Sequence, residues 1–338
     1  MRKAVTIKEI AEALNLSRNT VSKALNGQPV PNKTRELVYK KAQEMGYKTF
    51  SVGSSLSKSY RILLLSGKPF HNIDFFLPLT GAIETYCYQN NYEFFQFTCG
   101  KGTTAFEKVA DNIKKSNIDG IVAIECFETA FIENLLSLDI PICFIDFTAR
   151  NFKAKQNYDL ICSSDQKSVY NLVANLINDK GFSKFSFVGD HRHCLSFHER
   201  YLGMLRGLRA YGLSHLDQED ILDDDGFEYG KPTELKKKIE KYNRLPDCFI
   251  CCNDFVARNM IISLKKMGFT VPLDTTVVGY DGVNAALEES PTITTFQVDQ
   301  EFLGQEAIRI LLSRIEYKNL PSRTIIVESK LVIGESTK

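Results

Sequence analysis

At 338 residues the chain is too long for one ordinary domain and long enough to bury a sizeable core. Hydrophobic residues make up 43% and charged residues 25%, and no apolar run approaches the ~20 residues that cross a bilayer, which excludes disordered and helical-membrane classes. The net charge of +1 hides an asymmetry: residues 1–60 carry 11 Lys/Arg against 4 Asp/Glu, and the remainder carries 31 against 37. A basic head on a mildly acidic body is the electrostatic pattern of a nucleic-acid-binding module joined to something else. The N-terminus passes straight into a charged amphipathic segment with no apolar signal core, so a cytoplasmic location is expected. Nine scattered cysteines give no disulfide framework and are expected to be reduced and mostly buried.

Thr6-Ile7-Lys8-Glu9 has the form of a capping box, and Ile7, Ile10, Ala11 and Leu14 then fall on one helical face. Asn15-Leu16 breaks the pattern, and Ser17 caps a second helix in which Thr20, Val21, Ala24 and Leu25 face inward before Asn26-Gly27. A third helix is expected from about Asn32, with Leu37, Val38, Ala42 and Met45 at core spacing and Gly46 closing it. Two short helices joined by a tight turn and braced by a third form a helix-turn-helix. Its second helix carries Arg18, Asn19, Ser22 and Lys23 near the start, the side-chain types that read guanine and adenine edges in a major groove. Thr6, Ser17, Asn26, Thr34 and Tyr47 are candidates for phosphate contacts.

Residues 49–60, rich in Ser with one Gly, read as a linker. From Arg61 the pattern becomes alternating strands and helices. Strand-like runs stand at Ile62–Leu65, Glu93–Phe97, Gly120–Ile124, Ile140–Ile145, Leu160–Cys162, Phe185–Val188, Cys248–Cys251 and Thr276–Gly279. Helical stretches lie between most of them, which predicts parallel α/β sheets with a ligand at the strands' C-terminal ends.

Three stretches suggest other chemistry and fail its requirements. His191, His193, Cys194 and His198 form one cluster, where structural zinc uses paired ligand motifs, so no metal is expected. That loop is expected instead at the pocket mouth, with His193 and His198 within reach of a ligand. Cys248 and Cys251 point to opposite faces of a strand and cannot readily share an ion. Gly100-Lys101-Gly102-Thr103 lacks the spacing of a phosphate loop, and no nucleophile elbow is present, so neither enzymatic activity nor a cofactor is expected.

The runs Thr6–Ala11, Leu16–Gly27, Thr34–Val38 and Gly46–Lys48 together resemble the lactose/galactose repressor (LacI/GalR) family. Asp74-Phe75-Phe76, Glu199-Arg200, Cys252-Asn253-Asp254, Val278-Gly279-Tyr280-Asp281, Thr294-Thr295 and Glu335-Ser336 carry the resemblance through the rest of the chain. It implies an all-α helix-turn-helix domain at 1–48, a hinge at 49–60 and an α/β type I periplasmic-binding-protein-like domain at 61–338. The latter would have an N-subdomain of 61–161 and 291–323 and a C-subdomain of 162–290 and 324–338. On the resemblance Arg18, Asn19 and Lys23 stand at base-reading positions and Leu56 is a minor-groove wedge. Phe75, Phe76, Asp165, Ser196, Arg200, Asn253, Asp254 and Asp281 become the pocket residues, and the implied partners are palindromic double-stranded DNA, a sugar-like effector and a second copy of the chain. A dimer is expected, with no heptad extension for a tetramer.

Departures from the family pattern qualify these expectations. Lys23 replaces an Arg and loses bidentate guanine contact. Gly53 and the hinge serines lower helix propensity by up to about 1 kcal/mol each, so the hinge is expected to depend on DNA for its order. Gly282 stands where a second acid is common. Two alternatives remain open at this level: control by a phosphorylated carrier protein, and a solute-binding protein, for which the basic head would have no use.

Overall fold

Three short helices build the first unit: α1 (Ile7–Leu14), α2 (Arg18–Leu25) and α3 (Asn32–Met45). They belong to a computed structural model that describes residues 5–25, 30–45, 59–67, 73–99, 103–149, 158–215, 220–224, 226–283, 291–317 and 319–337. The chain divides into the units Met1–Tyr60 and Arg61–Lys338. The start of α1 is fixed by the expected capping box: the Glu9 carboxylate accepts from the Thr6 amide at 2.7 Å, and the Glu9 amide donates back to the Thr6 hydroxyl. Asn15 ends α1 in the left-handed conformation, φ 53°, which Asn tolerates better than most residues. Ser17 then accepts from the Thr20 amide at 3.0 Å and starts α2.

Ile10, Ala11, Val21, Ala24, Leu25, Val38 and Ala42 form the core of this unit, with Ile7, Leu14 and Met45 packed at its margin. Leu37 is not part of it and is 54% exposed. Val38 and Ala42, four apart, already define the buried face of α3, and Leu37 lies about 100° around the helix from Val38.

In the second unit a six-stranded parallel sheet runs in the order β10-β5-β4-β3-β1-β2. Its strands are β1 (Arg61–Ser66), β2 (Glu93–Thr98), β3 (Gly120–Ile124), β4 (Ile142–Ile145), β5 (Asp159–Ser163) and β10 (Thr324–Val327). Helices cover both faces of the sheet, so the central strands are continuous apolar runs; Ile62, Leu63, Leu64 and Leu65 are all fully buried. The helices α5 (Thr103–Ser116) and α6 (Thr129–Leu136) contribute Val109, Ile113, Ile132 and Leu135 to one core. On the other face α4 (Ile73–Gln89) packs against α11 (Gln300–Glu316). Gly304 permits that approach, because a Cβ there would lie 2.5 Å from the Leu79 carbonyl oxygen.

The second sheet is smaller. It joins β6 (Phe185–Val188), β7 (Cys248–Cys251) and β8 (Thr276–Val278) in parallel, flanked by α7 (Asp165–Lys180), α8 (Leu195–Ala210), α9 (Pro232–Ile239) and α10 (Asp254–Lys266). Beside β8, β9 (Thr295–Gln297) pairs antiparallel with β11 (Lys330–Val332). Its flank is bonded to the β8 end, with the Gly279 amide donating to the Thr294 carbonyl and the Asp281 amide to that of Phe296.

These pairings move the expected crossovers. The chain leaves the first sheet after Ser163, returns between β9 and α11, and leaves again after Val327, where passages near 161, 290 and 324 were expected. Two facts force the shift. The 294–297 stretch extends the edge of the second sheet, and β10 pairs with β5 in the first. A buried ion knot secures the second fact: Asp159 receives two bonds from Arg314 at 2.7–2.8 Å and further bonds from Arg323. Burial pushes the Asp159 carboxyl up, but the two guanidinium groups outweigh it and hold it below the ordinary carboxylate range.

Candidate functional site

The start of α2 presents a polar edge built by its cap. With Ser17 fixing the first turn, Arg18, Asn19 and Lys23 are exposed and Ser22 is half-buried, while Val21, Ala24 and Leu25 face the core. Thr6 and Ser17 are engaged as caps, and Thr34 is half-buried at the start of α3. Asn26, Tyr47 and Leu56 lie outside the described residues.

A cavity of about 240 Å³ opens where the C-terminal ends of β3, β4, β5, β7 and β8 meet. Parallel strands point their last residues at such a cleft, which is the reason ligands gather there. Six of the eight residues expected from the sequence line it: Phe75, Phe76, Ser196, Arg200, Asn253 and Asp281. Asp165 and Asp254 do not reach its wall, although each begins a helix there and each is buried.

Asp165 stands behind Arg200. Its carboxylate accepts from Arg200 Nε at 2.9 Å and from the Ser163 hydroxyl at 2.8–2.9 Å. The guanidinium lies over the Tyr280 ring at 3.7 Å, donates to the Cys252 carbonyl, and meets the Asp281 carboxylate at 3.4 Å. Arg200 is 4% exposed, so these partners supply what water would otherwise provide. Burial pushes the Asp281 carboxyl up to about 8 even with Arg200 beside it, and Asp254 up to about 7. Gly279 makes room for Asp254, since a Cβ there would stand 2.0 Å from Asp254 Oδ1. Asn253 caps α10 by accepting from the Val256 amide at 3.0 Å, which leaves its amide nitrogen as a donor.

Other lining residues were not anticipated. Glu125 and Asp146 follow β3 and β4 directly, each in the left-handed region at φ 54° and 61°. Asp146 accepts from the Phe147 amide at 2.7 Å and from both the amide and the hydroxyl of Ser196. Burial raises its carboxyl. Phe127, Phe197 and Phe255 join Phe75 and Phe76 to give an aromatic wall. An acidic residue one step past an apolar strand is the signal that identifies Glu125 and Asp146. His193 lines the cavity with its ring 5.0 Å from Phe127, as the cleft-loop reading expected; His198 does not line it and stacks near His191.

The nine thiols are unbridged, and those of Cys162 and Cys194 line the cavity. Burial pushes Cys162 up to about 12 and raises Cys194 well above the ordinary thiol range, so both stay protonated and unreactive near neutrality. Among the described residues no three His, Cys, Asp or Glu side chains converge as a metal site, and no helix is long and apolar enough to cross a membrane.

Residues 174–337 match the family model described as a periplasmic binding protein-like domain. Over 98% of both chains the sequence is 28% identical to the HTH-type transcriptional repressor PurR of Vibrio vulnificus. The PurR of Pasteurella multocida is 26% identical over the same share. Among solved structures, the transcriptional regulator CelR in complex with cellobiose superposes with a TM-score of 0.70 at 19% identity, over 98% of this chain and 99% of that one. The lac repressor dimer bound to operator and the anti-inducer ONPF gives 0.66 at 20% identity, over 99% of each. A LacI family regulator from Enterococcus faecium with bound ribose gives 0.67 at 21% identity, over 82% of this chain and 98% of that one.

Proposed function

We propose that the chain is a member of the LacI/GalR family and a sequence-specific DNA-binding repressor whose operator affinity is set by a small ligand between its two sheets; the full-length likeness to the PurR repressors and the periplasmic binding protein-like match support this reading. The observation that carries this reading is the exposed set Arg18, Asn19 and Lys23 on the first two turns of a capped helix. Arg donates to guanine, Asn pairs with adenine, and Lys adds a point charge. The operator-bound relative is a dimer, and two such helices need two half-sites, so a homodimer on a palindrome follows. On this reading Ser22, Thr34 and the residues outside the described set, Asn26, Tyr47 and Leu56, complete the DNA contact. The protein then acts in the cytoplasm by binding and not by catalysis.

The cavity is the effector site on this reading, with Arg200 and Asp281 at its floor and the phenylalanines as its wall. Its volume is below the ~300–1,000 Å³ of drug-sized pockets, which favours a single small ring, such as a monosaccharide or a derivative of one. Ligand-dependent closure of the sheets on one another needs a coupling of only ~1–3 kcal/mol to switch DNA occupancy usefully. Fluorescence anisotropy with a selected operator tests the DNA contacts. Arg18→Ala should weaken specific binding by about 1–3 kcal/mol and relax preference at one base position. An unchanged affinity and preference would remove α2 from the groove.

A further inference from the structure

The three crossovers that carry the chain between the two sheets run past one cluster at the floor of the cavity. At the first, the Ser163 hydroxyl donates to Asp165, which also accepts from Arg200. At the second, Gln300 Nε2 donates to the Asp281 backbone carbonyl at 2.9 Å. At the third, the Ser329 hydroxyl lies 2.7 Å from that of Tyr280. The first and third are laced together as well. The Ser164 amide donates to the Val327 carbonyl at 2.9 Å, and the Ser329 amide to the Ser164 hydroxyl at 3.3 Å. The Ser168 and Ser329 hydroxyls meet at 3.0 Å.

Tyr280 joins this knot to the cavity. It is 1% exposed, with the Arg200 guanidinium 3.7 Å from its ring centre and the Phe296 ring stacked on it at 5.0 Å. Two such neighbours fix the tilt of the ring. Arg200 lines the cavity, so a ligand that moves the guanidinium moves the ring and the hydroxyl at its tip. Burial raises the Tyr280 phenol and Asp165 raises it further, so the hydroxyl keeps its proton near neutrality. Removing that hydroxyl takes away one directional bond. Ser329 keeps the Ser168 hydroxyl as a partner, and no charge is stranded.

We propose that Tyr280 and Ser329 are positioning residues of the switch: the Tyr280 ring carries the position of Arg200 to the crossovers, and the Tyr280–Ser329 bond sets the angle at which the two sheets meet. This rests on the reading of the chain as a repressor governed by closure of its sheets, and it names the side chains through which closure is held. Neither residue lines the cavity, so they act on the sheets and not on the ligand. Because the first and third crossovers are bonded to each other, a shift at Ser329 moves both, and a small rotation there displaces the far ends of the sheets by more.

The test needs no effector. It uses the full chain, a duplex that the native protein selects from a random pool, and fluorescence anisotropy without added ligand. Tyr280→Phe and Ser329→Ala should each change the dissociation constant for that duplex by about two- to tenfold, in the same direction. The double variant should change it no more than the larger single one, because both remove the same bond. Ser329→Thr keeps the hydroxyl and should restore the native value. Affinity for a scrambled duplex should stay the same throughout, a selectivity that loss of folded protein does not produce. Hydrogen exchange at the Ser164 and Ser329 amides should quicken in both single variants, with α1 to α3 unaltered. Unchanged affinity for the selected duplex overturns the proposal, and so do effects that add in the double variant; either result leaves the repressor reading standing. Failure of the native protein to select any DNA sinks that reading, and the proposal with it.

Discussion

Asp281 combines a left-handed backbone with a buried carboxyl group. Its backbone stands at φ 108°, its side chain is buried, and Arg200, Asp254, Asp165 and Tyr280 surround it. In the unfolded chain its carboxyl ionises near ~3.9, whereas burial keeps it protonated to about 8 in the fold. Folding therefore holds an extra proton between those values, and stability must fall as pH rises through that window. Asp281→Asn cannot titrate. Its melting temperature relative to the native protein should rise steadily from about pH 4 to about pH 8 and level off above that. Parallel melting curves over that range would show that Arg200 keeps Asp281 ionised throughout. Gly279 belongs to the same constellation. Gly279→Ala should cost about 1–3 kcal/mol in urea unfolding, because the Asp254 carboxylate must leave its place to admit a methyl group. A neutral effect would mean that Asp254 is free to move.

Among the elements, those with strong local signals were legible in the sequence and those stabilised by distant partners were not. The capping box at Thr6 and Glu9 and the unbroken apolar run of β1 follow from spacing alone. By contrast β9 and β11 have three residues each, too few to show a period, and β10 is an edge strand with Ile326 61% exposed. What holds β10 in the first sheet is the Asp159–Arg314–Arg323 knot, whose members are 155 and 164 residues apart. Removing the shared acid strands a buried guanidinium, so Asp159→Ala should destabilise the second unit by roughly 3–5 kcal/mol in chemical denaturation. Because its folded carboxyl is depressed, the contribution is full above the unfolded value and is lost as pH falls through the folded one. A loss below about 1 kcal/mol would show that the knot contributes no more than a surface pair.

At the scale of the whole chain the candidate cavity was about half legible. Phe75, Phe76, Ser196, Arg200, Asn253 and Asp281 line it as expected, because family-like motifs carry them to strand ends. Asp165 and Asp254 share the same motifs but turn inward to support Arg200 and the β8 loop, a distinction set by packing across 35 and 29 residues. Glu125 and Asp146 carry only the weaker signal of an acid one step past an apolar strand, and the assembled sheet is what brings them to the same cavity. The central claim, that α2 reads bases, is tested most directly by selecting DNA fragments from a random pool with the full-length chain and sequencing what is retained. The account predicts an inverted repeat whose enrichment falls steeply with salt and disappears when Arg18, Asn19 and Lys23 are all changed to Ala. Enrichment of no sequence, or of the same sequence by the triple variant, would contradict it.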